Sequence, residues 1–445
     1  MYFTSNKKWN IYNSLRHKKK IQHGTIKKIK NDIPIIYFFE LSKYFPLILK
    51  RYYSFQKKIT LIGITGTNGK STTTHIIAQW TNLLNKKIGI MGTLGYGCYK
   101  KLTLTKNTTE SPENIYKFIQ NMLYKNIDTI AMEISSHGIS QNRILGLPFN
   151  IAILTNITSE HLDYHQTIQQ YIHAKLSFLL QYNINTFIIN IDDPIARSCI
   201  KKLSNKNIIS VTINNHYSSF LSKKWINVNK IEEKHDYTTI SFNSTWGSGI
   251  LSSKLIGLFN VTNLLLALAS LLELKYPIQD LIKVCNKIKT ISGRMQYFKF
   301  PNKPKIIIDY AHNKDALKNL LNTIKMKFKN KKIWCIFGCG GNRDKNKRPH
   351  MGKIAEILSD KIILTNDNPR NENPLDIIQD ILSGCKNKNK IHVILNREKA
   401  IKFALNNANI QDIIIISGKG HEKYQIINNK YYYYSDQDVI NKLLK

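Results

Sequence analysis

From Ile59 onward, short continuous apolar runs alternate with stretches whose apolar residues recur at helical spacing. The first run is Ile59 to Thr65. Ser71 to Leu84 follows it, with Ile76, Ile77, Trp80, Leu83 and Leu84 on one helical face. Runs of strand length recur at Thr129 to Glu133, Ile151 to Asn156 and Phe187 to Asn190. Such alternation predicts a parallel sheet covered by helices. Lys201 to Trp246 is polar and Lys- and Ser-rich with strand-like pieces, and Asn260 to Leu274 reads as an apolar helix packed on the sheet. Past Gly293 the alternation restarts with Lys305 to Tyr310, Lys332 to Phe337, Lys361 to Thr365, Ile391 to Leu395 and Asp412 to Ser417, which predicts a second α/β domain. The division expected is 1–58, 59–292 and 293–445. The first segment is basic and irregular. Its one strand-like run, Ile33 to Phe39, and one helical stretch, Leu41 to Tyr53, are too little for an independent domain.

Composition narrows the class. With 42% hydrophobic and 21% charged residues the chain can bury cores, so global disorder is excluded. No apolar run reaches the roughly 18 to 20 residues of a membrane helix; the longest, Leu264 to Leu274, carries Ser270 and Glu273. Met1 to Asp32 is Lys-rich without the continuous apolar core and cleavage site of a secretory signal, so a cytoplasmic location is expected. The net charge of +37 would ordinarily suggest a polyanionic partner. Only nine of the 66 basic residues are Arg, however, and Lys is scattered through every segment together with Asn, Ile and Tyr, as A/T-rich codons would give. No basic stripe with interleaved aromatics stands out, and nucleic acid is not the partner expected. Six cysteines form no C-x-x-C pair and no zinc-spaced cluster, which predicts free thiols.

The chemistry starts where the first strand ends. Gly66-Thr67-Asn68-Gly69-Lys70-Ser71, with Thr72 behind it, opens a helix. Glycines let backbone N–H groups surround an anion, the helix N-terminus adds partial positive charge, Lys70 neutralises phosphate, and the Ser71 hydroxyl suits Mg²⁺. The G-x-x-x-x-G-K-[ST] spacing is not met, because position 64 is Ile; a plain glycine-rich turn is the alternative, but it would leave Lys-Ser at the helix start unexplained. Met132 to His137 closes the next strong strand. Thr155-Asn156 and Glu160 to His165 close the one after. Polar clusters at the carboxyl ends of successive parallel strands lie where such sheets bind ligands.

Taken together, TGTNGKS, NTTES, MEISSHG with Gln141 and Arg143, TNITSEHLDYH, FNVTNLLLA, GRM, DYAH, FGCGGNRDKNKRP, DNPR and GKGHE resemble, in order and spacing, the motifs of the Mur ligases. The likeness runs from about Ile33 to the C-terminus and is greatest to the members that add the third amino acid in peptidoglycan precursor synthesis, a step on which cell wall, cell shape and cell division depend. DNPR is the variant of those adding meso-diaminopimelate.

The resemblance implies an α/β fold with a central P-loop-type ATP-binding domain on a mostly parallel sheet, a C-terminal Rossmann-like domain and a shortened N-terminal segment, the remnant of a uridine-binding domain. It implies an ATP-dependent ligase in which the D-glutamyl carboxylate of UDP-MurNAc-L-Ala-D-Glu becomes an acyl phosphate that the amine of meso-diaminopimelate attacks. The three small molecules would be its partners, and a monomer is expected. Gly66, Thr67, Asn68, Gly69, Lys70, Ser71, Thr72, Asn260, Asn263, Arg294, Asp309 and His312 would serve ATP. Asn107, Thr108, Thr109, Ser135, Gln141 and Arg143 would serve the acceptor nucleotide and peptide. Arg343, Asp367, Asn368, Pro369, Arg370, Gly418 and Glu422 would form the diaminopimelate pocket, with an Arg fork on the distal carboxylate. Ser71, Glu133, His161 and Lys175 would hold Mg²⁺, Lys175 as a CO₂-derived carbamate. Lys70, His161 and Lys175 would be catalytic.

Two departures from the family pattern, Asn313-Lys314 after DYAH and Asn342 after GCGG, lead one to expect less order at each place. Two other readings remain: a folylpolyglutamate synthetase type of ligase, which shares the phosphate loop but not DNPR with GKGHE, and a degenerate basic ATP- or nucleic-acid-binding protein.

Overall fold

The computed structural model describes residues 26–29, 33–36, 41–105, 107–203, 206–214, 222–234 and 236–444, with side chains from residue 41. Within the first segment Ile26–Ile29 pairs antiparallel with Ile33–Ile36, and a helix runs over Leu41–Tyr53. Positions 37–39 of the expected strand, and most of the basic stretch Met1 to Asp32, lie outside the described residues.

The larger sheet has eleven strands in the order Gly247–Ser253, Thr238–Ser244, Lys224–Glu233, Asn207–Thr212, Thr186–Asn190, Phe149–Leu154, Thr60–Thr65, Thr129–Ile134, Gly89–Gly92, Gly95–Cys98, Lys101–Thr103. Its centre is parallel and covered on both faces, so its strands are apolar throughout. One face packs Tyr116, Phe149 and Phe178; the other packs Ile77, Trp80 and Leu265. Both margins turn antiparallel. The polar stretch after Lys201 supplies one margin as a meander whose strand Thr238–Ser244 alternates buried and half-buried residues, the pattern of a sheet wetted on one side.

Helix Leu258–Glu273 is apolar nearly all round because it lies between the sheet and helix Lys70–Leu83. Trp80 Nε1 donates to the Leu281 carbonyl at 2.9 Å and ties the phosphate-loop helix to the next helical segment.

The smaller sheet has six strands in the order Gln296–Phe298, Lys305–Asp309, Ile413–Ser417, Ile333–Phe337, Lys361–Leu364, Ile391–Val393, parallel except for the first. Where the two halves meet, Gly293 has φ +67, and a Cβ there would stand 2.2 Å from the His421 nitrogen. Only glycine lets the chain cross so close to the loop after Ser417. All six cysteines are free thiols, five of them buried. Among the described residues no helix is long and apolar enough to cross a membrane.

Candidate active site

The carboxyl ends of the two parallel sheets face one cavity of 1120 Å³, lined from the larger half by Thr93, Glu160 and His161 and from the smaller by Arg343, Asp367 and Glu422. The phosphate loop is tied to this lining through Asn313, which lines the cavity and donates to Asn68 at 3.2 Å. Gly69, the helix cap, has φ +88, and a Cβ there would fall 2.4 Å from Asn263 Oδ1. Thr155 Oγ1 and Asn156 Nδ2 donate to the Asn68 carbonyl at 2.6 and 3.1 Å, and Asn68 N–H donates to Asn156 Oδ1 at 2.9 Å. The neighbouring strand end thus fixes the loop's backbone. Lys70 Nζ donates at 2.8 Å to the carbonyls of both Gly66 and Thr67, and burial lowers its pKa.

Ser71 Oγ donates to Glu133 Oε2 at 2.9 Å. Glu133 is fully buried at the end of Thr129–Ile134 and also accepts from Thr93 N and Thr93 Oγ1, at 2.9 and 3.0 Å. Arg294 reaches the same hydroxyl from the inter-domain crossing, 3.3 Å from Ser71 Oγ, with its guanidinium stacked 4.1 Å over Tyr310. Asp309 accepts from Met295 N and Ala311 N, each at 2.7 Å, which holds this turn in shape. Asn260 and Asn263 are buried side by side on their helix, with Thr73 Oγ1 donating to Asn263 at 3.3 Å.

On the far side of the loop, Lys175 Nζ is buried, donates to the Gly66 carbonyl at 2.8 Å and lies 4.8 Å over the Tyr171 ring. Desolvation, then the nearby Lys70 charge, pushes its pKa well down. His161 is held with φ +56, and desolvation brings its imidazole down to about 3. Ser71 and Glu133 therefore form one direct pair, whereas Lys175 bonds to the loop at Gly66 and the His161 ring lies 6.4 Å from that of Tyr171. Among the described residues no three His, Cys, Asp or Glu groups are placed to hold a metal unaided.

The acceptor-side residues form a connected strip. Thr109 Oγ1 donates to the Glu133 carbonyl and accepts from Ser135 N, both at 2.9 Å. Arg143 donates to the Thr109 carbonyl and to Gln141, and Thr108 meets Thr93 at 3.1 Å. Asn107 is exposed at the strip's end.

In the smaller half, Asn368 Nδ2 donates to Glu422 Oε2 at 2.9 Å, and Arg370 Nη1 donates to the Gly341 carbonyl at 2.8 Å. Gly418 has φ +110 and leaves room for the Asp367 carboxylate, which a Cβ would approach to 2.6 Å. Pro369 presents its carbonyl to Glu372 N at 3.0 Å. Arg343 reaches across to Asp163 at 3.3 Å.

At both places where less order was expected, the asparagine side chain makes hydrogen bonds. Asn313 caps helix Lys314–Lys327 through Oδ1 and donates to Asn68 and Glu160. Asn342 accepts from Asn371 N at 3.1 Å, and its own N–H donates to Glu372. Asparagine suits both places, because its side chain carries both donor and acceptor and tolerates the φ of +52 at position 342.

Three residues central to this geometry carry no role in the sequence reading. Glu160 meets His312 Nε2 at 2.8 Å, and burial notwithstanding, that partner holds its pKa well below the usual value. Lys419 is fully buried between Asn368 and Glu422. Tyr171 joins Thr67 at 2.8 Å. The signal for Glu160 was its place in a strand-end cluster, for Lys419 its place in GKGHE, and for Tyr171 its place in the segment that ends at Lys175.

A glycine-rich loop opening a helix at the end of one parallel sheet, and a pocket of Arg and carboxylate side chains at the end of another, are the parts that a two-lobed ATP-dependent amide-forming ligase needs. The chain belongs to the Mur ligase family: the Mur ligase middle domain matches residues 64–271, and the Mur ligase glutamate ligase domain matches 293–420. It is 66% identical over 428 residues to the UDP-N-acetylmuramoyl-L-alanyl-D-glutamate–2,6-diaminopimelate ligase of Buchnera aphidicola subsp. Baizongia pistaciae, covering 96% of this chain and 84% of that one. To the ligase of the same name from Haemophilus influenzae (strain PittGG) it is 40% identical, covering 95% and 86%. A solved structure of such a 2,6-diaminopimelate ligase superposes with a TM-score of 0.63 at 31% identity, over 91% of this chain and 81% of that one. Folylpolyglutamate synthase of Mycobacterium tuberculosis shares the fold, with a TM-score of 0.66 at 15% identity over 84% and 91%.

Proposed function

We propose that the chain joins meso-2,6-diaminopimelate to the D-glutamyl carboxylate of UDP-MurNAc-L-Ala-D-Glu at the expense of ATP, in the cytoplasm and as a monomer. The observation that carries this reading is one cavity that is lined both by His75 and Gln79, on the helix that the phosphate loop opens, and by Arg370 and Glu422 of the other half. In this reading residues 59–292 bind ATP and activate the acid, residues 293–445 bring the amino acid, and 1–58 belong to the uridine side.

The chemistry asked of the residues is mainly charge neutralisation and positioning. Lys70, freed from its two loop carbonyls when phosphate arrives, neutralises the transferring group. Arg294, already beside Ser71, adds a second positive charge. Asp309 faces the ribose side, and Asn260 and Asn263 the base side. The strip from Asn107 to Arg143 orients the acceptor peptide. Asp367 and Glu422 receive an ammonium of the amino acid, and the Arg370 and Arg343 guanidinium groups a carboxylate. The carboxylate oxygen attacks the γ-phosphorus as ADP leaves. The amine nitrogen then attacks the acyl carbon, phosphate leaves, and the amine proton passes to a basic group or water.

Ser71 and Glu133 are hard oxygen donors in direct contact, which fits a Mg²⁺ ion completed by substrate phosphates. Such an ion, when bound, supplies charge stabilisation to the phosphoryl oxygens. The place of Lys175 fits a carbamate. A carbamate forms when a neutral amine adds to CO₂ with loss of one proton, and burial lowers the pKa of this amine. The carbamate N–H would still donate to Gly66, and His165, whose buried Nε2 has no hydrogen-bond partner among the described residues, packs on the same Tyr171 ring as Lys175. Phosphate release that requires ATP, UDP-MurNAc-L-Ala-D-Glu and diaminopimelate together is the test. Release without the amino acid, or none at all, would remove the assignment.

A further inference from the structure

Glu160 and Asn313 come from different halves of the molecule and are both buried where the halves touch. The Asn313 amide uses every atom it has. Oδ1 accepts from Ala316 N at 2.8 Å and caps the helix Lys314–Lys327. Nδ2 donates to Asn68 Oδ1 of the phosphate loop at 3.2 Å and to Glu160 Oε1 at 3.1 Å. Next to it, His312 Nε2 meets the same Glu160 oxygen at 2.8 Å, while the His312 carbonyl accepts from Lys347 Nζ at 2.8 Å. The cap, the loop and the carboxylate thus share one side chain.

From this geometry we propose that Asn313 is a positioning residue, the polar latch that holds the C-terminal half closed on the phosphate loop before nucleotide binds. The alternative of a plain helix cap accounts for Oδ1 alone. A cap needs one acceptor, and serine or threonine would supply it. It leaves unexplained why the amide nitrogen is spent across the boundary on two acceptors, each buried or half-buried and costly to leave unpaired. A latch of this kind sets the fraction of molecules already in the nucleotide-competent arrangement, and the apparent affinity scales with that fraction. Once nucleotide is bound and the halves are held together by it, the latch contributes nothing further to the chemical step. This inference rests on the reading that ATP is gripped from both halves.

Asn313→Thr keeps an oxygen for the cap, but one hydroxyl cannot cap and also serve both Asn68 and Glu160. Asn313→Asp keeps the cap and the size, and sets a carboxylate against Glu160. Small-angle scattering of the unliganded full chain should give a larger radius of gyration for Asn313→Thr and a larger one still for Asn313→Asp, with unfolding midpoints near that of the unmutated chain. Nucleotide affinity, read as the ATP dissociation constant and as KM, should weaken about tenfold for Asn313→Thr, the loss of two ordinary hydrogen bonds, with kcat preserved. Unchanged scattering with unchanged nucleotide affinity in both variants would overturn the latch. So would a fall in kcat at unchanged affinity, which would place Asn313 in the chemistry. Scattering and ATP binding need no turnover, so an unmutated chain that binds ATP without ligating would count against the proposed reaction and leave the latch decided by its own two readouts.

Discussion

Lys175 Nζ donates a 2.8 Å hydrogen bond to the carbonyl of Gly66, 109 positions earlier, and so binds the middle of helix Ile168–Gln181 to the first residue of the phosphate loop. The proposed carbamate would form on this buried amine, whose pKa burial lowers. Lys175→Ala should lower kcat by on the order of 10² to 10³, as loss of one preorganised charge does, and leave the circular dichroism spectrum intact. Formate or acetate should restore part of the rate, and ¹³C-bicarbonate should give a carbamate resonance in the unmutated chain that is absent from the variant. Full turnover by Lys175→Ala would remove the residue from the mechanism.

Arg370 sits at φ +53 with Nη1 tied to the Gly341 carbonyl, which aims the guanidinium across the pocket that Glu422 and Asp367 border. Lysine differs from diaminopimelate by one carboxylate. Two charge-assisted hydrogen bonds are worth about 3 to 6 kcal/mol together, so kcat/KM for lysine should be lower by about 10² to 10⁴. Arg370→Ala should lose a comparable factor with diaminopimelate and keep its ATP affinity. Equal use of both amino acids by the unmutated chain would refute the selector role.

Glu160 should show in the pH dependence of stability. Its pKa in the folded chain lies well below the ordinary 4.5, largely through the His312 hydrogen bond acting against desolvation. Below 4.5 the unfolded chain binds the proton first, so this contribution is fully present above 4.5 and is lost as pH falls through the lower, folded value. Denaturant titrations at several pH values should therefore give a stability difference between the unmutated chain and Glu160→Gln that is flat above pH 4.5 and shrinks below it. A difference that grows toward acid would contradict the sign.

Arg397 and Asp436 form an ion pair at 2.8 Å with both side chains fully buried, and Arg397 also donates to the Ser417 carbonyl at the end of a central strand. Arg397→Met would leave Asp436 without its charge partner in the interior. The loss should be about 3 to 5 kcal/mol, read from chemical denaturation. Replacing both, as Arg397→Met with Asp436→Leu, should recover much of it.

Local pattern was enough for the elements that set the frame. The helix over Leu41–Tyr53, the strand ending at Thr65 and the helix beginning at Lys70 follow from periodicity and from the glycines between them, because apolar spacing and turn chemistry act over a few residues. The strand-end clusters were legible for the same reason. The antiparallel margins of the large sheet were not, since pairing direction depends on which strands become neighbours.

The sequence by itself determined a two-lobed α/β chain with a phosphate loop and ten family motifs in order, of which the residues from Gly66 to Ser71 say most. Only the tertiary structure decided which groups meet: Glu160 with Asn313 across 153 positions, Arg294 with Ser71 across 223, and Lys175 with Gly66. Hydrogen bonds act over about 3 Å, so their partners are fixed by strand order and by how one sheet faces the other. No local periodicity encodes either, and the same motifs on two separated lobes would have left Asn313 a helix cap and nothing more.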